Sequence, residues 1–497
     1  MSEHSETFAD NLARGLAGYG PRPFIEFERT WYSGDDVAAY GDRIEAALGE
    51  AGVARGDPVG VVVRNRVPHA AAILGFLATG RPVVMIYSYQ SARSIASDVE
   101  TLRLAAVVAD REDWSEPVAD AARRTGSAAI ALSSAEPRVE VLSARRQLDG
   151  PGPDPGLSEA GIHVLTSGTT GPPKRVPIRT EVLAHTVRSI THGQQPSPND
   201  PPDVVFLPFG NIGGACQLLA APCMGKRMVL LEKFTVTDWV RAIKDYRIRR
   251  GGAQPAIVRM VLDANVPPED LESLECLVGG AGPLEQDVRD EFERRYGIPV
   301  LWAYGATEFA GSVCAWTPEL HERYGATKPD SAGRPLPGVQ ARIVDSQTGI
   351  EVPLGSMGFL EARVEVIGPE WIRTTDLASI DDDGFLTIHG RGDGAINRGG
   401  FKILPETVRR VLIGHPAVRD AAVVGVPDRR LGEVPFAAIE VKRGASAPTE
   451  SELKDLIRDV LPSHHVPVAI TVVDELPRSA ALKVRPAEVA ALYRPKT

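Results

Sequence analysis

Between residues 37 and 109 the chain switches repeatedly between two hydrophobic periods, and this restricts the fold more than any other feature. Val37, Tyr40, Ile44 and Leu48 recur at helical spacing, and the run Pro58-Val-Gly-Val-Val-Val63 that follows reads as a buried strand. A helical pattern over residues 70–77, a strand over 83–87 and another over 105–109 continue the alternation. Short strands that are apolar at every position, separated by helices, predict a parallel sheet covered on both faces.

Two further changes of texture divide the rest. From Gly338 short strands and turns follow one another over residues 339–344, 358–364 and 385–389, which reads as a small β-rich subdomain. After Arg391-Gly-Asp-Gly394 the pattern becomes α+β. Thr449 and Glu452 form a capping box before a helix whose apolar face carries Leu453, Leu456, Ile457, Val460 and Leu461, and strands are expected over 421–426, 436–441 and 469–473. The expected fold class is α/β: a large multi-subdomain N-terminal domain with parallel-rich sheets and a small β-rich subdomain, plus a smaller mobile α+β domain. The boundary is expected near Asp393, giving domains 1–392 and 393–497. At 497 residues the chain holds about three folding units. Pro- and Gly-rich connections are expected at 149–156 and 194–202.

The composition excludes several classes. A net charge of −10 implies no basic face for nucleic acid. The four cysteines, Cys216, Cys223, Cys276 and Cys314, lack CxxC spacing, so reduced and mostly buried thiols are expected rather than a zinc site or disulfides. The adjacent His464 and His465 read as loop residues near a helix end. The apolar stretch around 70–87 is interrupted by Arg81 and falls short of the roughly 18 residues a membrane helix needs. The N-terminus lacks a basic segment followed by an apolar one, so no signal peptide and a cytoplasmic location are expected.

Chemistry concentrates in a few short segments. Thr166-Ser-Gly-Thr-Thr-Gly-Pro-Pro-Lys174 follows an apolar strand pattern and combines backbone N–H groups, hydroxyls and an ammonium, which a polyphosphate needs. It lacks the GK[ST] signature of a Walker A loop. Taken alone, it could equally be an exposed turn. Further along stand Val278-Gly-Gly-Ala-Gly-Pro-Leu284, Tyr304-Gly-Ala-Thr-Glu308, Trp371-Ile-Arg-Thr-Thr-Asp376, Gly390-Arg-Gly-Asp393 and Pro477-Arg-Ser-Ala-Ala-Leu-Lys483. In content, order and spacing these segments resemble the adenylate-forming superfamily of acyl-CoA synthetases, adenylation domains and luciferases, most closely its acyl-CoA ligases.

The resemblance implies ATP, Mg²⁺ and, as acyl acceptor, CoA. Thr166, Ser167, Gly168, Thr169, Thr170, Gly171 and Lys174 would surround phosphate. Gly280, Ala281 and Gly282 would lie against adenine, with Tyr304 and Gly305 on the ring. Thr307 would contact phosphate, Glu308 would hold the metal, and Asp376 and Arg391 would reach the ribose. Asp393 would be the hinge and Lys483 the catalytic lysine of the mobile domain. Two positions depart from the pattern where glycine is usual: Thr375, expected to alter a turn, and Leu482, expected to stiffen the catalytic loop.

The loop Asn397-Arg-Gly-Gly-Phe-Lys402 resembles the acyl-CoA synthetase version, with Gly399, Gly400 and Phe401 lining a CoA tunnel. The expected acyl pocket comprises Asn211, Ile212, Gly213, Trp302, Ala303, Phe309, Ala310 and Gly311. Asn211 stands where a histidine or aromatic residue is usual. Two readings remain open for it: a tolerated polar substitution, or a hydrogen bond to a polar group of the acid. The acidic residue that holds an amino acid's ammonium is absent. The expected activity is an ATP-dependent carboxylic acid–CoA ligase passing through an acyl-adenylate. The rivals are a stand-alone enzyme loading a carrier protein and a nucleotide-binding protein with little catalysis. No fused carrier domain is expected, and a homodimer is left open. Neither the identity of the acid nor its aryl or aliphatic class follows from the sequence.

Overall fold

The computed structural model describes residues 7–133, 138–147, 152–165, 175–190, 200–280, 282, 284, 286–345, 347–392, 394–398, 401–479 and 482–494. The alternating segment builds a seven-stranded sheet in the order Arg138–Ser143, Ala128–Ser133, Ala106–Asp110, Val59–Val63, Val83–Tyr87, Gly161–Leu165 and Arg175–Arg179. The five inner strands run parallel, and the outer two pair antiparallel. Every residue of Val59–Val63 is buried. Val59, Val61 and Val63 join one core with the helices Gly34–Glu50 and Val67–Ala78, while Val62 joins another with Ala92–Leu102 and Glu116–Thr125. Both faces are covered, which is why the strand is apolar at every position.

A five-stranded sheet follows, with Arg250–Ala253, Cys276–Gly279 and Val300–Ala306 parallel and Gly311–Ala315 and Arg334–Pro335 antiparallel. A smaller sheet orders Asp203–Val205, Met228–Leu230, Pro23–Phe27 and Thr30–Ser33, tying the N-terminal segment to the middle of the chain. The β-rich subdomain is an antiparallel sheet of Val339–Val344, Gly358–Val364, Ile372–Ile380 and Leu386–Arg391. Two of its strands fall on the expected residues. The third corrects the expectation of a turn around Thr375, because Ile372–Ile380 is a continuous strand paired on both sides.

The C-terminal sheet orders Phe401–Ile403, Ile396–Arg398, Gly432–Val441 and Val418–Asp428, with Ile470–Val473 parallel to Gly432–Val441. The capping box forms: the Glu452 N–H donates to Thr449 Oγ1 at 3.2 Å and the Thr449 N–H to Glu452 Oε2 at 3.4 Å. Leu453 and Ile457 are buried, but Val460 is 65% exposed at the last helical position, so it does not extend the apolar face. All four cysteines are free thiols. Among the described residues no helix is long and apolar enough to cross a membrane.

Arg81, which interrupts the apolar run, is 1% exposed. Its Nε and Nη2 donate to the two oxygens of Glu45 at 2.9 and 2.8 Å, and its Nη1 to the Ala54 and Asp57 carbonyls at 2.8 and 3.0 Å. The guanidinium thus ties the helix Gly34–Glu50 to the loop before the first strand of the large sheet. Removing the anion would leave a buried charge half-satisfied. Glu45→Ala should therefore destabilise the chain by about 3 kcal/mol, read as a lower midpoint in chemical denaturation, and an unchanged midpoint would refute this role.

Candidate active site

The residues expected around a nucleotide come from the ends of two sheets. Val300–Ala306 ends at a hairpin with Gly311–Ala315, and the register slips between Tyr304 and Gly305. A Cβ at Gly305 would lie 2.1 Å from the Gly311 carbonyl oxygen, so only glycine fits there. At Gly280 a Cβ would lie 2.5 Å from the Ala303 carbonyl, which keeps the strands in close contact and leaves a bare backbone surface. From the neighbouring sheet, Asp376 stands directly opposite Arg391 in the ladder. The Tyr304 hydroxyl donates to Asp376 Oδ2 and joins the two sheets. Burial, followed by the negative charge of Asp376, raises the Tyr304 phenol well above its ordinary value, so it stays protonated.

Asp376 and Arg391 are held further by Thr374 and Thr375. The Thr374 hydroxyl accepts the Asp376 N–H at 3.1 Å and donates to the Leu360 carbonyl at 2.9 Å. Arg391 Nη2 donates to Thr375 Oγ1 at 2.7 Å, and the Gly392 N–H donates to the Thr375 carbonyl at 2.7 Å. The residue that departs from the glycine pattern therefore supplies an acceptor to the arginine beside the site.

Lys483 reaches this cluster from the C-terminal domain. Its loop is closed by the Ser479 N–H donating to the Lys483 carbonyl at 2.7 Å and the Leu482 N–H to the Ser479 carbonyl at 2.8 Å. Leu482 has a φ of 57°, in the left-handed region. Its side chain packs against the core of the five-stranded sheet, so it touches the N-terminal domain. Lys483 is open to solvent, yet burial by the surrounding protein, followed by the charge of Arg391, pushes its ammonium below the ordinary lysine value. Asp376 and Glu308 oppose that shift, so all four groups share one electrostatic neighbourhood.

Glu308 and Thr307 lie in the short helical turn Thr307–Phe309, and Glu308 is exposed. Among the described residues no group of three or more His, Cys, Asp or Glu side chains could hold a metal. A cation at Glu308 would take its other ligands from phosphate and water, a donor set that suits Mg²⁺.

The expected acyl residues separate into two sets. Asn211 precedes the helix Ile212–Cys223 and is bonded to the Tyr87 hydroxyl, which also lies 3.2 Å from the Leu165 carbonyl. Ile212 packs against the large core, and Gly213 lies beside Leu207. Burial raises the Tyr87 phenol to about 12. Tyr87 was not singled out in the sequence; the signal was its place at the C-terminal end of a parallel strand, where α/β sheets gather their sites.

By contrast, Trp302, Phe309 and Ala310 are 8, 3 and 1% exposed. Trp302 packs in the core of the five-stranded sheet, and its Nε1 donates to the Gly282 carbonyl at 3.0 Å. Phe309 packs with Val313, Ala362 and Val364. These side chains, expected as walls of the acyl pocket, are packed within the core in the protein alone. Ala303 and Gly311 are half-buried between the two sets.

Thr166, Ser167, Gly168, Thr169, Thr170, Gly171, Lys174, Ala281, Asp393, Gly399 and Gly400 lie outside the described residues. Leu165 and Arg175, which flank the first segment, are paired across an antiparallel ladder. Phe401 is 57% exposed and stacks on His464 with ring centroids 4.3 Å apart. No hydrogen bond or ring contact among the described residues joins it to the Tyr304–Asp376 cluster.

Comparison with known proteins agrees with this arrangement. Residues 12–367 match the model described as AMP-binding enzyme, and residues 408–483 match the AMP-binding enzyme C-terminal domain. A 2-succinylbenzoate–CoA ligase of Geobacillus kaustophilus is 30% identical, over 96% of this chain and 97% of its own. Among solved structures, ATP-bound MatB from Rhodopseudomonas palustris superposes with a TM-score of 0.82 at 22% identity, over 98% of this chain and 100% of that one. The amide bond synthetase McbA from Marinactinospora thermotolerans superposes with a TM-score of 0.80 at 25% identity, over 98% and 100%. The match of both domain models, over residues that include the Tyr304 motif and Lys483, shows that the chain belongs to the AMP-binding enzyme family.

Proposed function

We propose that this chain ligates a carboxylic acid to CoA through an acyl-adenylate, releasing pyrophosphate and then AMP. The observation that carries this reading is the convergence of Lys483, Arg391, Asp376 and Glu308 around the Tyr304 hairpin, in a chain of this family. A carboxylate is ionised at neutral pH, with an ordinary pKa of about 4, so no base is needed to prepare it. Its oxygen attacks the α-phosphorus as the bond from that phosphorus to the bridging oxygen breaks, and pyrophosphate leaves with the electron pair. Lys483 and Lys174 supply positive potential where charge develops, Asp376 and Arg391 hold the ribose, and Tyr304 holds Asp376. Bound Mg²⁺ would supply further positive charge at the phosphate oxygens from Glu308. The CoA thiol then loses its proton to water, its sulfur attacks the acyl carbon, and the bond from that carbon to the phosphate oxygen breaks as AMP leaves with the electron pair.

For the acid we propose that Asn211 reads a polar group. One atom of its amide is engaged by Tyr87, which fixes the side chain and leaves the other atom for the acid. The 2-succinylbenzoate–CoA ligase supports an aryl acid carrying a hydrogen-bonding substituent. We further propose domains 1–392 and 393–497, with Asp393 as pivot and Gly399, Gly400 and Phe401 replacing Lys483 at the site for the second step.

Incubation with ATP, Mg²⁺, CoA, an amine and a panel of aryl and aliphatic acids, read by mass spectrometry, tests the reading. One acyl-CoA thioester is expected. Acyl-adenylate alone would point to a carrier protein as acceptor. An amide would place the chain beside the neighbour named an amide bond synthetase. ATP binding without any acid-dependent product would refute the ligase.

Lys483→Ala should abolish adenylation and still convert a supplied acyl-adenylate to thioester, and equal loss of both steps would sink the two-state account. The lowered Lys483 value has a sign that can be checked without substrate. At pH 8 more of this amine is unprotonated than of an ordinary lysine, so an amine-acylating reagent should label it early in peptide mapping. Arg391→Ala removes a repelling charge, raises the value and should slow that labelling.

A further inference from the structure

The loop that carries Lys483 is anchored by charges that reach into the other domain. Asp420, on the strand Val418–Asp428, is 2% exposed and is shared by three guanidinium groups. Arg409 Nη2 donates to its Oδ1 at 2.8 Å, Arg478 Nη2 bonds its Oδ2, and Arg259 Nη1 approaches Oδ2 at 3.5 Å. Burial would raise the Asp420 carboxyl, but Arg259, Arg409 and Arg478 outweigh it and hold it at about 2. Arg409 and Arg478 belong to the C-terminal domain. Arg259 belongs to the helix Pro255–Asp263 of the N-terminal domain, 161 residues away in sequence.

Arg478 connects this centre to the catalytic loop. Its Nη1 donates to the Leu482 carbonyl at 3.2 Å, and its backbone bridges Val484. Arg478 therefore grips both sides of Lys483. The path runs from Arg259 in one domain through Asp420 and Arg478 to the residues flanking Lys483 in the other.

We propose that Arg259 is a positioning residue for Lys483, acting across the domain interface through Asp420 and Arg478. The inference rests on the ligase reading and adds to it a residue outside the segments that carry the family resemblance. A second bridge, Arg419 Nε to Asp263 Oδ2 at 2.8 Å, also spans the interface, but both side chains are a third or more exposed, so solvent screens it. Arg259 is 7% exposed, and burial pushes its guanidinium down to about 10, with Asp420 the first charge that opposes the shift. Its burial outweighs its attraction to Asp420, so the contact selects a geometry more than it adds stability. Such a contact can release Arg259 to water when the small domain turns, and can re-form with Lys483 in register when it returns.

The test uses the full chain with Arg259→Met, which keeps an unbranched stem and removes the charge, and Arg259→Lys, which keeps the charge and loses the fork. Solution X-ray scattering of the nucleotide-free protein should show a larger radius of gyration for Arg259→Met than for the wild type. With the acid found in the product panel, Arg259→Met should lower ATP–pyrophosphate exchange by about tenfold or more and change thioester formation from supplied acyl-adenylate by less than about twofold. Arg259→Lys should recover part of the exchange rate. Unchanged exchange and scattering, or equal loss in both half-reactions, would overturn the proposal. Absence of exchange in the wild type would instead sink the ligase reading, and the scattering comparison would still decide whether Arg259 sets the docked geometry.

Discussion

The hydrogen bond from Tyr304 to Asp376 is the join on which the site's geometry depends. Tyr304 lies near the end of the strand Val300–Ala306 in one sheet, and Asp376 lies in the middle of a strand of another. One sheet presents the bare backbone at Gly280 and Gly305, and the other presents the Asp376 carboxylate. With the phenol buried and facing an anion, the proton stays on Tyr304 and the negative charge on Asp376. That polarity matters beyond the pair. Arg391 is fixed opposite Asp376 in the ladder, and Lys483 approaches both, so the carboxylate balances two cations that would otherwise repel each other.

The two departures from glycine have opposite physical characters. Thr375 lies within a paired strand, where a β-branched residue fits without strain, and its hydroxyl gives Arg391 an acceptor that glycine could not. Leu482 sits at positive φ, where a residue with a Cβ costs about 1–2 kcal/mol. Its side chain recovers part of that cost by packing on the N-terminal core. A glycine there would relieve the strain and lose the contact. The substitution thus exchanges loop freedom for an apolar contact between the Lys483 loop and the N-terminal core.

How much of this could be read in the sequence depended on the range of the interaction. Val59–Val63 was legible because burial on both faces leaves every position apolar. The capping box at Thr449 and Glu452 was legible because its partners are three residues apart. The strand Ile372–Ile380 was hidden because most of its residues are half-buried, with no clean alternation. The burial of Trp302 and Phe309 was not legible, because motif proximity does not say which face of a strand or turn a side chain takes. Arg259 and Asp420 left no local signal, since each looks like an ordinary charged residue until the domains meet. Tyr87 and Asn211, 124 residues apart, are the same case inside one domain.

The electrostatics of Lys483 link the two domains to the nucleotide. In the cleft as the protein alone forms it, burial and Arg391 disfavour the ammonium, while Asp376 and Glu308 oppose them without prevailing. A polyphosphate brought to the same place adds negative charge within a few ångströms, and an opposite charge at that range favours the ionised lysine. On the proposed mechanism, binding of the polyanion and docking of the charged loop would strengthen each other by equal amounts, because the coupling between two binding events is reciprocal. When pyrophosphate departs, that added negative charge goes with it and burial again weighs against the ammonium. On the proposed mechanism, the phosphates would favour the docked position of Lys483, and their loss would remove that preference.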